Sequence, residues 1–206
     1  NSMGASDAKS AYRVAVSQAG ALPRDTMDNL IISQVTTLGK GTTGTGANTV
    51  GPGGGLYTSQ TQTGLANNGY GDITAGTAVV DTDKDGMPDF WEKTTGSNAA
   101  TDDAMTKGAG GYALIEHYLN WLAEPHATTK AGTAVDIDLP GFALGFKDVA
   151  PVFAVSMPGC GSVALAADKH TAHFTPAAVG LSSFDFTVTG SDGSTFKGHV
   201  TVAVQP

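Results

Sequence analysis

The stretch Asp81-Thr82-Asp83-Lys84-Asp85-Gly86-Met87-Pro88-Asp89-Phe90-Trp91-Glu92 constrains this chain more than any other. It places carboxylates at positions 1, 3, 5, 9 and 12 of a 12-residue run, with a glycine at position 6, the spacing of a calcium loop. Acids packed so closely repel one another unless a cation neutralises them. Calcium takes roughly six to eight oxygens and tolerates irregular geometry. Asp81, Asp83 and Asp85 can present their carboxylates to one side of it. Met87 would add its backbone carbonyl and Asp89 a further oxygen, while Glu92 closes the shell with both of its oxygens. Gly86 permits the sharp turn, and Pro88 presets φ for the first turn of an exiting helix that carries Phe90, Trp91 and Glu92. The expected metal ligands are Asp81, Asp83, Asp85, Met87, Asp89 and Glu92, with Ca2+ as cofactor. The competing reading is a solvated acidic turn.

A regulatory EF-hand also needs an entering helix. Residues 73–80, Ile-Thr-Ala-Gly-Thr-Ala-Val-Val, read instead as strand or loop, so an EF-hand-like, static site is expected rather than a switch. The chain has 206 residues, room for one large or two small domains, and a net charge of −8. That charge repels phosphate backbones and anionic membranes, which argues against nucleic-acid or membrane partners. No apolar run reaches the length of a membrane span. The 28 glycines point to a loop-rich organisation. Cys160 is the single cysteine, cannot form an internal disulfide, and is expected to fill a small buried space. An acidic, lysine-poor chain with a calcium loop fits a secreted or cell-surface setting. Without an initiating methionine or a signal peptide, it reads as a piece of something longer.

Two short helices are expected near the start. The first runs from a Ser6 cap to Gly20, with Tyr12, Ala15, Val16 and Ala19 on one stripe. The second starts at an Asp25 cap, carries Met27, Leu30, Ile31, Gln34, Val35 and Leu38, and stops at Gly39. A long irregular connection follows to Gly76. Beyond the acidic loop, Tyr112, Ile115, Tyr118, Leu119 and Leu122 mark a helix closed by Glu124-Pro125. From Ala127 onward, short alternating segments separated by turn signals predict an antiparallel, Ig-like β-sandwich. They are 135–139, 152–155, 162–165, 172–174, 183–188 and 198–204. The expected fold class is therefore α+β with two modules. Residues 1–126 form a helical, loop-rich region holding the calcium loop, and residues 127–206 form the sandwich.

The loop and its following helix resemble the calcium units of dockerins and thrombospondin type-3 repeats. A wider resemblance runs over roughly residues 5–122. Ala11-Tyr12, Ala19-Gly20-Ala21-Leu22-Pro23-Arg24-Asp25, Asp28, Ile32, Val35 and Leu56-Tyr57-Thr58-Ser59-Gln60 look like the C-terminal tail of bacterial pectate-lyase-type (family-1-like) polysaccharide lyases. Asp81–Glu92 with Lys93-Thr94-Thr95-Gly96 is similar to the calcium loop and helix of those tails. Gly111-Tyr112, Glu116 and Tyr118-Leu119-Asn120 are similar to their closing helix. The resemblance implies a plant cell-wall or other polysaccharide as partner, and a catalytic β-helix domain elsewhere in the parent protein. Two departures stand out. The family's second acidic loop is degenerate here, with Thr106, Gly108, Gly110 and His117 at ligand positions, although Asp102 and Asp103 could lend an oxygen. The parallel β-helix that holds the family's active site is absent from the sequence. Arg13 and Arg24, the two arginines, sit in no matching catalytic motif, so no catalytic residue is assigned. Ala172–Ala178 and Phe184–Gly193 resemble bacterial cadherin-like or Ig-like repeats, which serve as spacers and sometimes bind glycans.

These readings make the chain a non-catalytic, calcium-stabilised accessory region of a secreted polysaccharide lyase, binding or targeting polysaccharide. The alternatives are a fragment of an active lyase whose β-helix is a separate chain, and a structural adhesin-like spacer. Trp121 and Phe142 are the candidate sugar-stacking aromatics, whereas Trp91, beside the twelfth loop position, is expected to pack the loop onto its helix. Gly39-Lys40-Gly41-Thr42-Thr43-Gly44 matches a dinucleotide fingerprint by letter but lacks its strand-to-helix context. His170 and His173 lie on opposite faces of a probable strand and make no metal pair.

Overall fold

Apolar residues alternate along Thr195–Gln205 (β7) so that Val200, Val202 and Val204 face one way and Ala203 the other. The two faces are buried in different clusters, which makes β7 the seam of the fold. The computed structural model describes residues 7–20, 22, 24–37, 57, 59–72 and 76–206. The chain divides into one compact unit of residues 18–77 and a second that joins the preceding residues to 78–206. The expected Ser6 cap, the Gly39 helix stop, the 39–44 glycine motif and most of the 39–76 connection lie outside the described residues.

The larger unit is α+β. A four-stranded sheet runs in the order β1 (His126–Lys130), β7, β6 (Gly180–Thr189), β3 (Val152–Val155). A three-stranded sheet runs β2 (Val135–Asp138), β5 (Thr171–Thr175), β4 (Ser162–Leu165). The sheets are not wholly antiparallel as expected, because β1 pairs parallel with β7, His126 opposite Thr201 through Lys130 opposite Gln205. The inner residues of both sheets share one core, including Ile137 and Phe174 from one and Phe153, Phe184, Phe186 and Val202 from the other. Gly198 lies opposite Phe186 in the β6–β7 ladder, and a Cβ there would stand 2.3 Å from the Phe186 ring. The missing side chain is the space this ring occupies. On the outer faces, cross-strand pairs such as His199–Asp185 at 2.8 Å and His173–Asp136 at 2.6 Å help to mark the register. Cys160 is half-buried in a turn rather than in the core, its backbone bracketed by the Ser182 hydroxyl.

The first helix, α1 (Ala8–Gln18), is capped by Asp7, whose Oδ1 accepts from the Lys9 and Ser10 amides. Its buried side is Arg13, Val16 and Ser17. The apolar stripe expected through Tyr12, Ala15 and Ala19 faces outward instead. The reason is one charged anchor. The Arg13 guanidinium donates to the Gly145 carbonyl, to Asp148 Oδ1 at 2.7 Å and to Asp192 Oδ2 at 2.9 Å. It also sits 5.4 Å from the centroid of the buried Phe146 ring, a cation–π contact. The Ser17 hydroxyl donates to the Arg13 carbonyl at 2.8 Å and accepts from the Gly145 amide at 3.1 Å. In the unit of residues 18–77, α2 (Thr26–Thr36) starts at the expected Asp25 cap, which accepts from the Asp28 amide. Two 3-10 turns, Gln60–Thr63 and Asn67–Gly69, follow in that unit and are tied by the Thr63 hydroxyl donating to the Gly69 carbonyl at 2.7 Å.

Arg13→Ala should destabilise the larger unit by about 2 kcal/mol in urea unfolding, the loss of charged hydrogen bonds to a buried carbonyl. That is less than the roughly 3–5 kcal/mol of a fully buried pair, because Asp148 is 75% exposed and water already screens it. Gly145→Ala should displace α1 as well, since a Cβ there would stand 2.3 Å from the Arg13 carbonyl oxygen. Hydrogen exchange of residues 8–17 reads that displacement.

Candidate metal centre

Residues 76–88 carry no helix, and α3 (Asp89–Thr95) begins immediately after Pro88. The loop is closed by the Asp89 amide donating to the Val80 carbonyl at 2.9 Å. Gly86 takes φ +96°, the left-handed conformation its position was expected to need. Gly96 ends α3 in the same region of φ, its amide donating to the Glu92 carbonyl at 2.7 Å.

The loop's own amides turn the acids inward. Asp81 accepts from the Lys84 and Gly86 amides, Asp83 from the Asp85 amide and Asp85 from the Met87 amide. Carboxylate oxygens of Asp81, Asp83 and Asp85 come within 4.8 Å of one another, and a second triad of Asp85, Glu92 and Asp103 does the same. Glu92 is fully buried, and neither of its oxygens has a hydrogen-bond partner among the described residues. Asp83 Oδ2 and Asp103 Oδ1 are likewise buried and unpartnered. Such groups are costly unless something outside the protein satisfies them. The donor set is all oxygen and strongly anionic, which fits a hard divalent cation.

Four expected ligands, Asp81, Asp83, Asp85 and Glu92, are thus brought together. The Met87 side chain is fully buried among Trp91, Ala104 and Trp121, as a residue lending only its carbonyl would allow. Asp89 departs from expectation. Its carboxylate accepts from the Thr82 amide at 2.9 Å, the Thr82 hydroxyl at 3.0 Å and the Lys93 ammonium at 3.0 Å. It belongs to neither triad, and Lys93, then Thr82, hold it below the usual carboxylate range. Asp103 joins the centre from beyond α3. The only sequence signal for it is an acid at the remnant of the degenerate second loop. His117, at the last position of that loop, turns its ring nitrogen to the Ala109 carbonyl at 3.1 Å.

The candidate sugar-stacking residues lie against the interior to different extents. Trp121, on α4 (Leu114–Ala123), is 6% exposed and lies 5.1 Å from Trp91 and 4.2 Å from His126 between ring centroids. It therefore has no open face for a pyranose. Leu119 and Tyr112, expected on the buried stripe of this helix, are exposed instead. Phe142 is half-buried against the main core. Trp91 packs the loop helix as expected.

No protein-family profile matches the chain. The chain is 32% identical over 99 residues to a probable pectate lyase C of Aspergillus flavus, covering 48% of this chain and 20% of that protein. The figure is 33% over 99 residues for the protein of the same name from Aspergillus fumigatus, with the same coverage. For Neosartorya fischeri it is 41% over 54 residues, 26% of this chain and 13% of that one. The chain thus contains a pectate-lyase-related region and spans about one fifth of the length of the first two relatives. The likeness expected to bacterial pectate-lyase-type proteins is found here, over 99 residues, with fungal ones. Among solved structures, a nucleoside hydrolase-related hypothetical protein from Saccharophagus degradans, associated with carbohydrate metabolism, aligns at TM-score 0.29 and 19% identity. It covers 41% of this chain and 23% of its own, and a likeness that low carries no argument about fold. No described helix is long and apolar enough to cross a membrane.

Burial, and then the neighbouring charges of Asp83, Asp85, Asp103 and Asp89, push the Glu92 carboxyl from its ordinary 4.5 up to about 7. Without a cation, the folded chain would therefore hold a proton on Glu92 that the unfolded chain releases near pH 4.5. Stability contributed by that proton is fully present below pH 4.5 and is lost as pH rises through about 7. In chelator, urea stability should therefore decline over this window, and Glu92→Gln should abolish that part of the decline. Saturating calcium should reverse the trend in the unsubstituted protein, because the bound ion favours the ionised form.

Proposed function

We propose that this chain is a calcium-stabilised, non-catalytic accessory region of a secreted, pectate-type polysaccharide lyase, and that it binds or targets polysaccharide. The observation that carries the metal half of the reading is Glu92, a fully buried carboxylate without a hydrogen-bond partner among the described residues, beside Asp85 and Asp103. The likeness to proteins named probable pectate lyase C supports the polysaccharide half. Asp81, Asp83, Asp85 and Glu92 would hold the ion, with the Met87 carbonyl. The ion supplies positive charge where the acids crowd, and so holds the loop and α3 in place. The loop is EF-hand-like in spacing, and the two-sheet region serves as an Ig-like spacer or glycan-facing module.

A second reading, a fragment of an active lyase, is favoured by the one-fifth coverage of the relatives. Incubation of the chain with polygalacturonate tests the accessory reading. The accessory reading expects no unsaturated product, and product formation would sink it. Calcium at about 100 times its Kd should stabilise the chain by about 2.7 kcal/mol in urea unfolding. Magnesium should stabilise it less, because it demands a stricter octahedron and sheds water reluctantly. Pull-down on insoluble pectate and other cell-wall polysaccharides, with calcium and then with chelator, should retain the chain. Failure to bind any of them would leave a spacer role.

A further inference from the structure

We infer that Asp103 is a ligand of the same ion as the loop of residues 81–92, so that the ion ties the loop to the segment leading into α4. The inference rests on the calcium reading above and extends its ligand set beyond the 12-residue run. Asp103 lies past the end of α3, yet its backbone amide donates to Asp85 Oδ2 at 3.2 Å, which seats it against the loop. Its Oδ2 accepts from the Asn98 amide at 3.2 Å, fixing the carboxylate plane. Its Oδ1 is buried and has no partner among the described residues.

A carboxylate oxygen of Asp103 falls in one triad with oxygens of Asp85 and Glu92, all within 4.8 Å of one another. Two oxygens across a calcium shell, each about 2.4 Å from the ion, stand that far apart. Glu92 is the independent sign of a ligand, since it is fully buried, has no partner for either oxygen among the described residues, and lies beside Asp103. Without a cation, the Asp103 charge would add to the repulsion among these acids. Its neighbour Asp102 is exposed and belongs to neither triad.

The consequence is mechanical. Ala104, next along the chain, is buried with Trp91 and Trp121, and its carbonyl accepts from the Ile115 amide at 3.0 Å. The Thr106 carbonyl accepts from the Leu114 amide at 3.0 Å. A ligand at Asp103 therefore links the ion to the first turn of α4, and the ion braces two helices rather than one.

Calorimetric titration of the 206-residue chain with calcium chloride tests this, together with hydrogen exchange over residues 96–106. One ion should bind the unsubstituted chain, and calcium should slow exchange across that segment. Asp103→Asn should weaken calcium binding about tenfold or more, because affinity in such loops follows the number of charged ligands, and should remove the protection. Asp102→Asn should change neither, while Glu92→Gln should cost at least as much affinity as Asp103→Asn. Wild-type affinity and protection in Asp103→Asn would overturn the inference and leave the loop reading intact. No calcium binding by the unsubstituted chain would overturn both, and two ions per chain would overturn the shared shell. Should Asp103→Asn fail to fold, hydrogen exchange in the unsubstituted chain decides alone: residues 96–106 untouched by calcium overturn the inference.

Discussion

A carboxylate buried without a hydrogen-bond partner among the described residues is the constraint on which the rest of the larger unit depends. Ionising Glu92 inside this cluster means desolvating a charge that already faces Asp83, Asp85 and Asp103. Protein donors are not what answers it: the loop amides are spent on Asp81, Asp83 and Asp85. Lys93, one turn along α3, is spent on Asp89. The position therefore calls for either a proton or a cation, and the clustering of further acids favours the cation as pH rises.

The surroundings of the centre explain how a local charge problem can govern a larger body. Met87 and Trp91, on either side of Pro88, are buried with Ala104, Trp121 and Ala203. Ala203 is the outward-facing residue of β7, whose neighbours Val202 and Val204 belong to the main core. The loop helix and the sheets thus share one strand, and what holds α3 also braces the face of the four-stranded sheet. This is why residues 78–126 and 127–206 fall in one compact unit, although composition changes sharply near Ala127. A shift in composition marks a change of secondary structure, and two elements of different kind can still bury against each other.

Much of this was legible in local signals. The Asp25 cap, the Gly86 turn and the strands Val152–Val155 and Ser162–Leu165 follow from spacing and side-chain chemistry that act within a few residues. The misses share a cause, which is distance along the chain. β1 is a strand only because β7 lies beside it in parallel, and no alternation in His126–Lys130 announces that partner. The buried face of α1 departs from its apolar pattern because Arg13 finds Asp148 and Asp192, whereas an arginine on an amphipathic helix ordinarily counts for the wet side. Trp121 and Leu119 exchanged roles on α4 for the same reason: the larger ring fills the space beside Trp91 and His126. At the centre itself, the acids at loop positions 1, 3, 5 and 12 could be read from spacing, whereas Asp103 could not, because its approach depends on how the chain returns after Gly96.

Asp89 bears on what kind of site this is. Drawn to Thr82 and Lys93, it joins the start of the loop to α3 without touching either acidic triad. With the Asp89 amide on the Val80 carbonyl, this gives the loop a closure made of protein hydrogen bonds alone. A loop so closed has little shape left to change when a cation arrives, and Val79 and Val80, which precede it without helix, offer no entering helix to rotate. In a switch of the EF-hand kind the ion alters the angle between two helices. Here its work would be to neutralise charge in a frame already built, which is the behaviour of a brace.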